Sequence, residues 1–139
     1  MTALALTAAR ISPIFPRHAE IYPMIAVETI TAGQVVYQTS AGKAGVADAN
    51  VGGKQQARGI ALSGASAGGA VDVLKAGHVE GFTITHAYDA QLFLSDTAGS
   101  VDDAAGTMTV PIGRVIAMSD VGTLTKVAYF EFEWNVQRS

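Results

Sequence analysis

The chain has 139 residues, of which 49% are hydrophobic and 15% charged, and its formal net charge is −3 at pH 7. This length and composition predict one globular domain with its own core and exclude a disordered chain. The small negative charge excludes a general attraction to nucleic acid or anionic lipid, which needs clustered lysine and arginine. The absence of cysteine excludes a disulfide framework, so stability has to come from packing or assembly.

The segment 1–26 differs from the rest of the chain. It contains Pro13, Pro16 and Pro23, which disfavour both a helix and a central strand. It also carries too much apolar surface to remain in water. We therefore predict an extended N-terminal arm, followed by a β-domain over 27–139. The arm covers an edge of its own domain or, as we favour, lies on another chain. The residues predicted to bind a partner are Ile11, Ile14, Phe15, Pro16, Ile21 and Tyr22.

The N-terminal residues 1–9 are apolar, but no basic residue precedes them. The run is also too short for a transmembrane helix. We therefore predict neither export nor a membrane association.

The stretch after the arm begins as two predicted strands over 27–37, joined by a glycine turn at Ala32 and Gly33. Residues 39–57 are mostly polar or small, which predicts a surface loop. A short strand is predicted within this loop at 44–47. Asp48 is a suitable helix N-cap, so one helical turn is predicted to start there.

Residues 58–82 alternate short apolar runs with glycine-rich turns. The apolar residues of 70–75 alternate with polar ones, which is typical of a strand with one buried and one exposed face. Gly77 is predicted to be a turn between this strand and the next. No apolar stripe of helical period occurs in the chain. The sequence therefore predicts an all-β fold, either a compact β-barrel or a sandwich.

Three further strands are predicted at 91–94, 108–110 and 113–118. Pro111 is expected to separate the last two and to mark an edge or a bulge, because proline cannot donate a hydrogen bond to a strand ladder. The clearest strand is 126–134, where apolar residues alternate with polar ones. Its aromatic residues share one face and are predicted to anchor the core or a subunit contact. These residues are Phe130, Phe132 and Trp134.

Two parts of the chain resemble each other. Residues 32–42 and 90–99 both have the pattern of a strand followed by a glycine turn, and residues 59–63 are echoed by 113–119. An internal duplication would explain this similarity, and so would the repeated use of strand and turn patterns in any all-β chain. With only two copies, the pattern does not predict a solenoid.

Residues 64–68 match the pattern G-x-S-x-G, which in hydrolases places a nucleophilic serine on a strained turn between a strand and a helix. Here the following residues, 70–74, alternate as a strand. His78 or His86 would be available as a base for Ser66, but a hairpin turn is the better prediction.

Metal and phosphate sites are not predicted either. The three histidines lack the spacing of metal ligands, and the aspartates between 96 and 103 lack the calcium-loop pattern. Residues 52–54 lack the first glycine and the Ser or Thr of a phosphate loop. We therefore predict no catalytic residue, no cofactor and no metal.

Five segments occur in a defined order along the chain. They are AGQVVY (32–37), GKAGVAD (42–48), ARGIALSGASAGGAVDVLKAGHVEGF (57–82), AQLFLSDTAGSVDD (90–103) and IGRVIAM (112–118). This succession resembles the small capsid decoration, or cement, proteins of tailed bacteriophages. The similarity covers residues 30–132, and the long arm departs from the shorter members of that family.

The resemblance implies a compact β-barrel that binds the outside of an expanded phage capsid and holds neighbouring capsomers together. The implied partners are the major capsid protein and neighbouring copies of the chain, expected as a homotrimer. The protein would be made in the host cytoplasm and located on the capsid exterior, and no catalysis is implied. The alternatives are another virion β-module, such as a head-fibre base or a tail component, and a small serine hydrolase that uses Ser66.

Overall fold

The structure, a computed structural model, describes residues 3–120 and 122–138. Within these residues the chain forms ten strands and two 3-10 helices, Ala8–Arg10 and Pro16–His18. The strands are β1 (Ser12–Pro13), β2 (Glu20–Ile25), β3 (Val35–Gln38), β4 (Ala44–Val46), β5 (Ala57–Ala61), β6 (Ala70–Glu80), β7 (Gln91–Leu94), β8 (Val101–Asp102), β9 (Pro111–Asp120) and β10 (Thr123–Glu131). The antiparallel sheet curls into a half-barrel, which confirms the predicted all-β class.

The sheet has the strand order β4-β3-β5-β6-β10-β9-β7-β8, and β1 and β2 pair separately with β6. The first half of the sheet has the order β4-β3-β5-β6. Read from the opposite end of the sheet, the second half has the equivalent order β8-β7-β9-β10. The last strands of the two halves, β6 and β10, are neighbours in the centre. Val35 and Leu92 are at equivalent positions of β3 and β7, and both are fully buried in the same core. The two similar parts of the sequence therefore occupy equivalent places in one sheet, which favours the internal duplication.

Backbone hydrogen bonds of residues 95–99 connect the two ends of the curled sheet. The Val35 amide donates to the Gly99 carbonyl at 2.9 Å, and the Gly99 amide donates to the Ala47 carbonyl at 2.7 Å. Gly99 has φ +77°, and a Cβ there would lie 2.8 Å from a methyl carbon of Val46. Only glycine fits this close approach without strain.

Two hydrophobic cores lie on opposite faces of the sheet. The main core is on the concave side and contains Phe130 and Phe132, as predicted. The second core is on the outer face of β3, β5 and β6, where residues 24–30 cover it. Its members are Ala26, Ile30, Val36, Ala44, Ala61, Val71 and Val73.

The predicted turn at Gly77 is wrong, because β6 runs without a break through this residue. Gly77 has φ +148°, and a Cβ there would lie 3.1 Å from the Cβ of Ala19. The glycine is therefore needed where the N-terminal segment crosses over β6.

Five other local predictions need correction. Pro111 begins β9 instead of separating two strands, since the first residue of a strand need not donate to the ladder. The register between β7 and β9 shifts beside it, between Leu92 and Phe93, in line with the predicted bulge. Residues 108–110 and the first part of 27–37 are not strands. At 48–51 there is a turn and no helix, because the Asp48 carboxylate accepts a hydrogen bond from the Asn50 amide at 2.8 Å. The last strand, β10, ends at Glu131, so Trp134 lies outside it.

The N-terminal segment is part of the sheet of its own chain. Val73 and Leu74 pair with β5 along one edge of β6 and with β2 along the other. Val79 likewise pairs with β10 on one side and with Pro13 on the other. The strands β5 and β10 follow one another along one edge of β6, and β1 and β2 follow one another along its opposite edge. In the described residues the arm thus covers an edge of its own domain, the alternative that we did not favour.

Candidate interaction surface

Two of the six residues predicted to bind a partner are held by their own chain. Ile11 is only 6% exposed and packs in the main core, so it is wrong as a partner-binding residue. Its side chain fills space beside Gly33 and Gly81, which the sequence pattern does not reveal. Ile14 is half-buried, and its amide donates to the His78 carbonyl at 2.9 Å.

Phe15 and Pro16 belong to an exposed turn that we call the Phe15 loop, residues 14–18. Pro16 opens the 3-10 helix Pro16–His18, where its missing amide hydrogen and fixed φ are tolerated. The Phe15 side chain is 41% exposed. The edge of its ring meets the His78 ring at a centroid distance of 5.2 Å and 88°. The loop therefore presents an aromatic side chain in a defined position.

The two remaining predicted residues, Ile21 and Tyr22, are exposed on β2. Tyr22 is 42% exposed and lies 5.2 Å from the Trp134 ring, which is 39% exposed. We call this area the β2–tail surface. It consists of the Tyr22 and Trp134 rings and the strand β2 that carries Tyr22. Two exposed aromatic rings in contact are typical of a surface that binds another protein.

Trp134 is held in place by hydrogen bonds to Arg58. Its indole N–H donates to the Arg58 carbonyl at 2.8 Å, and the Arg58 guanidinium donates to the Trp134 carbonyl at 2.7 Å. The Lys75 ammonium lies 5.4 Å from the indole ring and forms an ion pair with Glu20 at 3.2 Å. An aromatic side chain fixed in this way loses little conformational entropy when a partner covers it.

The β2–tail surface includes a sheet edge. Among the described strands, β2 pairs only with β6, so its second edge carries backbone groups without a strand partner. Pro23 lies in the middle of β2, and proline is tolerated in strands mainly at edges. Such an edge can accept a further strand, although the proline limits how many backbone hydrogen bonds can form.

A groove of about 390 Å3 lies on the outer face of β7, β9 and β10. We call it the outer-face groove. Its lining includes Pro111, Arg114, Ile116, Tyr129 and Glu131. Burial, the charges of Glu131 and Glu20, and a 3.4 Å hydrogen bond to Glu131 together raise the pKa of the Tyr129 hydroxyl. This end of the groove is thus a region of negative potential.

His78 lies between the Phe15 loop and the outer-face groove. Its ring is 4.9 Å from the Tyr129 ring, on the other side from Phe15. Burial lowers the pKa of His78 below its ordinary value of 6.5. Burial therefore disfavours the protonated form of the imidazole.

The residues of the G-x-S-x-G pattern form an exposed turn that leads into β6, and no helix follows them. Among the described residues, the Ser66 hydroxyl has no histidine as a hydrogen-bond partner. His86 instead binds the Asp103 carboxylate at 3.1 Å. The described part of the chain also contains no group of three histidine or acidic side chains that could hold a metal.

Sequence reasoning did not place Trp134 beside Tyr22, nor did it find the outer-face groove. The two aromatic residues are more than a hundred positions apart, so no local pattern links them.

The chain was compared with protein-family models, with curated proteins and with solved structures, and no match was found. Among the described residues, no helix is long and apolar enough to cross a membrane.

Proposed function

We propose that this protein is a structural component of a phage particle that binds the outer surface of the capsid and stabilises it by cementing neighbouring capsomers. The partners are the major capsid protein and further copies of the chain, in the trimer that the resemblance implies or in another closed symmetry. The protein would act on the virion exterior, without a catalytic step or a cofactor.

The observation that carries this proposal is the β2–tail surface. It combines the hydrogen-bonded Trp134 ring and the neighbouring Tyr22 ring with a free sheet edge. Tyrosine and tryptophan are enriched among residues that dominate binding energy at protein interfaces. A decoration protein needs only such a surface, because many symmetric copies multiply a modest gain per copy.

Binding to expanded shells of tailed phages that lack their decoration protein tests the proposal. Protein and shells are mixed, the shells are pelleted, and the bound protein is measured and viewed by negative-stain microscopy. We expect saturable binding, with Tyr22→Ser and Trp134→Ser each weakening it about ten- to hundredfold, as for typical interface anchors.

The matched control is Leu124→Ser, which removes a 60% exposed apolar side chain outside the β2–tail surface. Its binding should equal that of the unchanged chain. If all three variants bind equally well, another surface mediates attachment. If the protein binds isolated tails or head fibres and leaves shells bare, it is a different virion β-module.

A further inference from the structure

The two halves of the sheet differ in how their outer faces are covered. In the first half, the outer face of β3, β5 and β6 is buried under residues 24–30 of the same chain. In the second half, the equivalent face carries the outer-face groove, with Ile116 and Tyr129 half-buried. The first half of the sheet thus buries residues 24–30 on its outer face, and the second half has an open groove at the equivalent place.

The Phe15 loop has the chemistry that this groove would bind. It presents the exposed ring of Phe15, then Pro16, then the basic residue Arg17. Within the described residues, Arg17 makes no ion pair. Among the residues that the structure describes, the hydrogen bond of the Glu131 carboxylate in the groove comes from the Tyr129 hydroxyl, at 3.4 Å. Arg114 also lines the groove, but its guanidinium lies 3.7 Å from the Asp89 carboxylate. The loop is therefore apolar and positive, and the end of the groove at Glu131 is apolar and negative.

The loop and the groove are also neighbours on the surface of one chain. Phe15 contacts His78, and His78 contacts Tyr129, which lines the groove. Loop and groove are therefore parts of one continuous patch. A continuous patch with complementary parts can bind its own copy about a twofold axis, so that both contacts form at once.

We propose that the Phe15 loop of one copy docks into the outer-face groove of a second copy, with Arg17 of the loop paired with Glu131 of the groove. Phe15 packs against Pro111, Ile116 and Tyr129 of the other copy. This contact deepens the proposed function by assigning its self-association, but it rests on the chain alone and not on binding to a shell. The groove volume, about 390 Å3, lies in the range of sites that enclose side chains.

Charge reversal tests the pairing on the full chain, without shells. Arg17→Glu and Glu131→Arg should each weaken self-association at least about tenfold in sedimentation equilibrium, because each places like charges together. An equimolar mixture of the two variants, or the double variant, should recover most of the affinity. The matched control Lys43→Glu reverses an exposed charge outside the patch and should associate like the unchanged chain.

The chain lacks cysteine, so introduced thiols report the contact directly. A copy with Arg17→Cys is mixed with a tagged copy carrying Glu131→Cys under mild oxidation. We expect the mixed disulfide to form many times faster than in the control mixture, where Lys43→Cys replaces Arg17→Cys. The proposal is overturned if the unchanged chain stays monomeric at on the order of 0.1 mM. It is equally overturned if opposite reversals do not rescue each other, or if the mixed disulfide forms no faster than in the control.

Discussion

At the scale of single residues, Gly77 has the clearest structural role. It lies where Ala19 crosses β6, with φ +148°, so a side chain there meets both backbone strain and a close neighbour. We expect Gly77→Ala to lower the free energy of unfolding by about 1–3 kcal/mol in urea denaturation. The control is Gly52→Ala, which has open space around it and should be close to neutral. Equal stability of both variants would show that the crossing tolerates a side chain.

His78 should make the stability of the protein depend on pH. Its pKa in the folded chain is below 6.5, so the unfolded chain binds a proton more readily. The free energy of unfolding should therefore be fully retained above pH 6.5 and should fall as the pH drops below that value. The effect is small because the ring is partly exposed. In His78→Phe, which keeps a ring between Phe15 and Tyr129, the fall attributable to this residue should disappear. An unchanged pH profile would exclude His78 as its source.

Ser66 tests whether the motif in 64–68 carries chemistry. The residue is exposed in a turn that leads directly into β6, without the helix that a nucleophile elbow requires. A serine-reactive phosphonate should not label the protein, and Ser66→Ala should change stability by less than about 0.5 kcal/mol. Stoichiometric labelling that is lost in Ser66→Ala would revive the hydrolase alternative.

At the scale of elements, the N-terminal segment contributes to the stability of the whole domain. The sequence alone predicts that a chain without residues 1–22 keeps a stable β-domain, because regular alternation starts later. The structure indicates the opposite, since Leu4 and Ile11 are buried in the main core and β2 pairs along most of its length with β6. Loss of a buried Leu or Ile side chain typically costs about 2–5 kcal/mol, and total stability is about 5–15 kcal/mol.

We therefore expect removal of residues 1–22 to lower the urea midpoint sharply or to leave the chain unfolded by circular dichroism. Ile11→Ala should lose about 2–5 kcal/mol by itself. Ala9→Ser, at an exposed position of the same segment, is the control and should stay within about 0.5 kcal/mol. A truncated chain with an unchanged midpoint would mean that the segment is only a tether.

At the scale of the whole molecule, the doubled strand order explains how the surfaces arise. Each half supplies four strands in the same order, and the halves join through β6 and β10. The first half also receives β1, β2 and residues 24–30. The strands β1 and β2 pair along the edge of β6 that β5 and β10 leave free, and residues 24–30 cover the outer face. In the second half the N-terminal residues pair with β8, through the Ala3–Asp102 bridge, and the outer face keeps the open groove. The N-terminal segment therefore covers the two halves of the sheet differently. The first half ends in the free edge of β2, and the second half keeps the outer-face groove.

The candidate site was only partly predictable from the sequence. The sequence predicts partner binding for six residues of 11–22, and that role stays a prediction. Of the six, Phe15, Pro16, Ile21 and Tyr22 are exposed. Ile11 has the same residue type and a similar local context, yet its side chain enters the core. Neighbouring residues of an irregular segment have no fixed period, so their burial depends on what lies beneath them.

The sequence by itself determined the fold class and several strands, including β7, whose predicted and observed bounds agree. It could do so because alternation of apolar and polar side chains is a local consequence of strand geometry. Only the tertiary structure decided that β6 is continuous, that the N-terminal segment belongs to the same sheet, and that Tyr22 meets Trp134. These features depend on backbone pairing and on contacts between distant residues, and neither leaves a periodic pattern in the sequence.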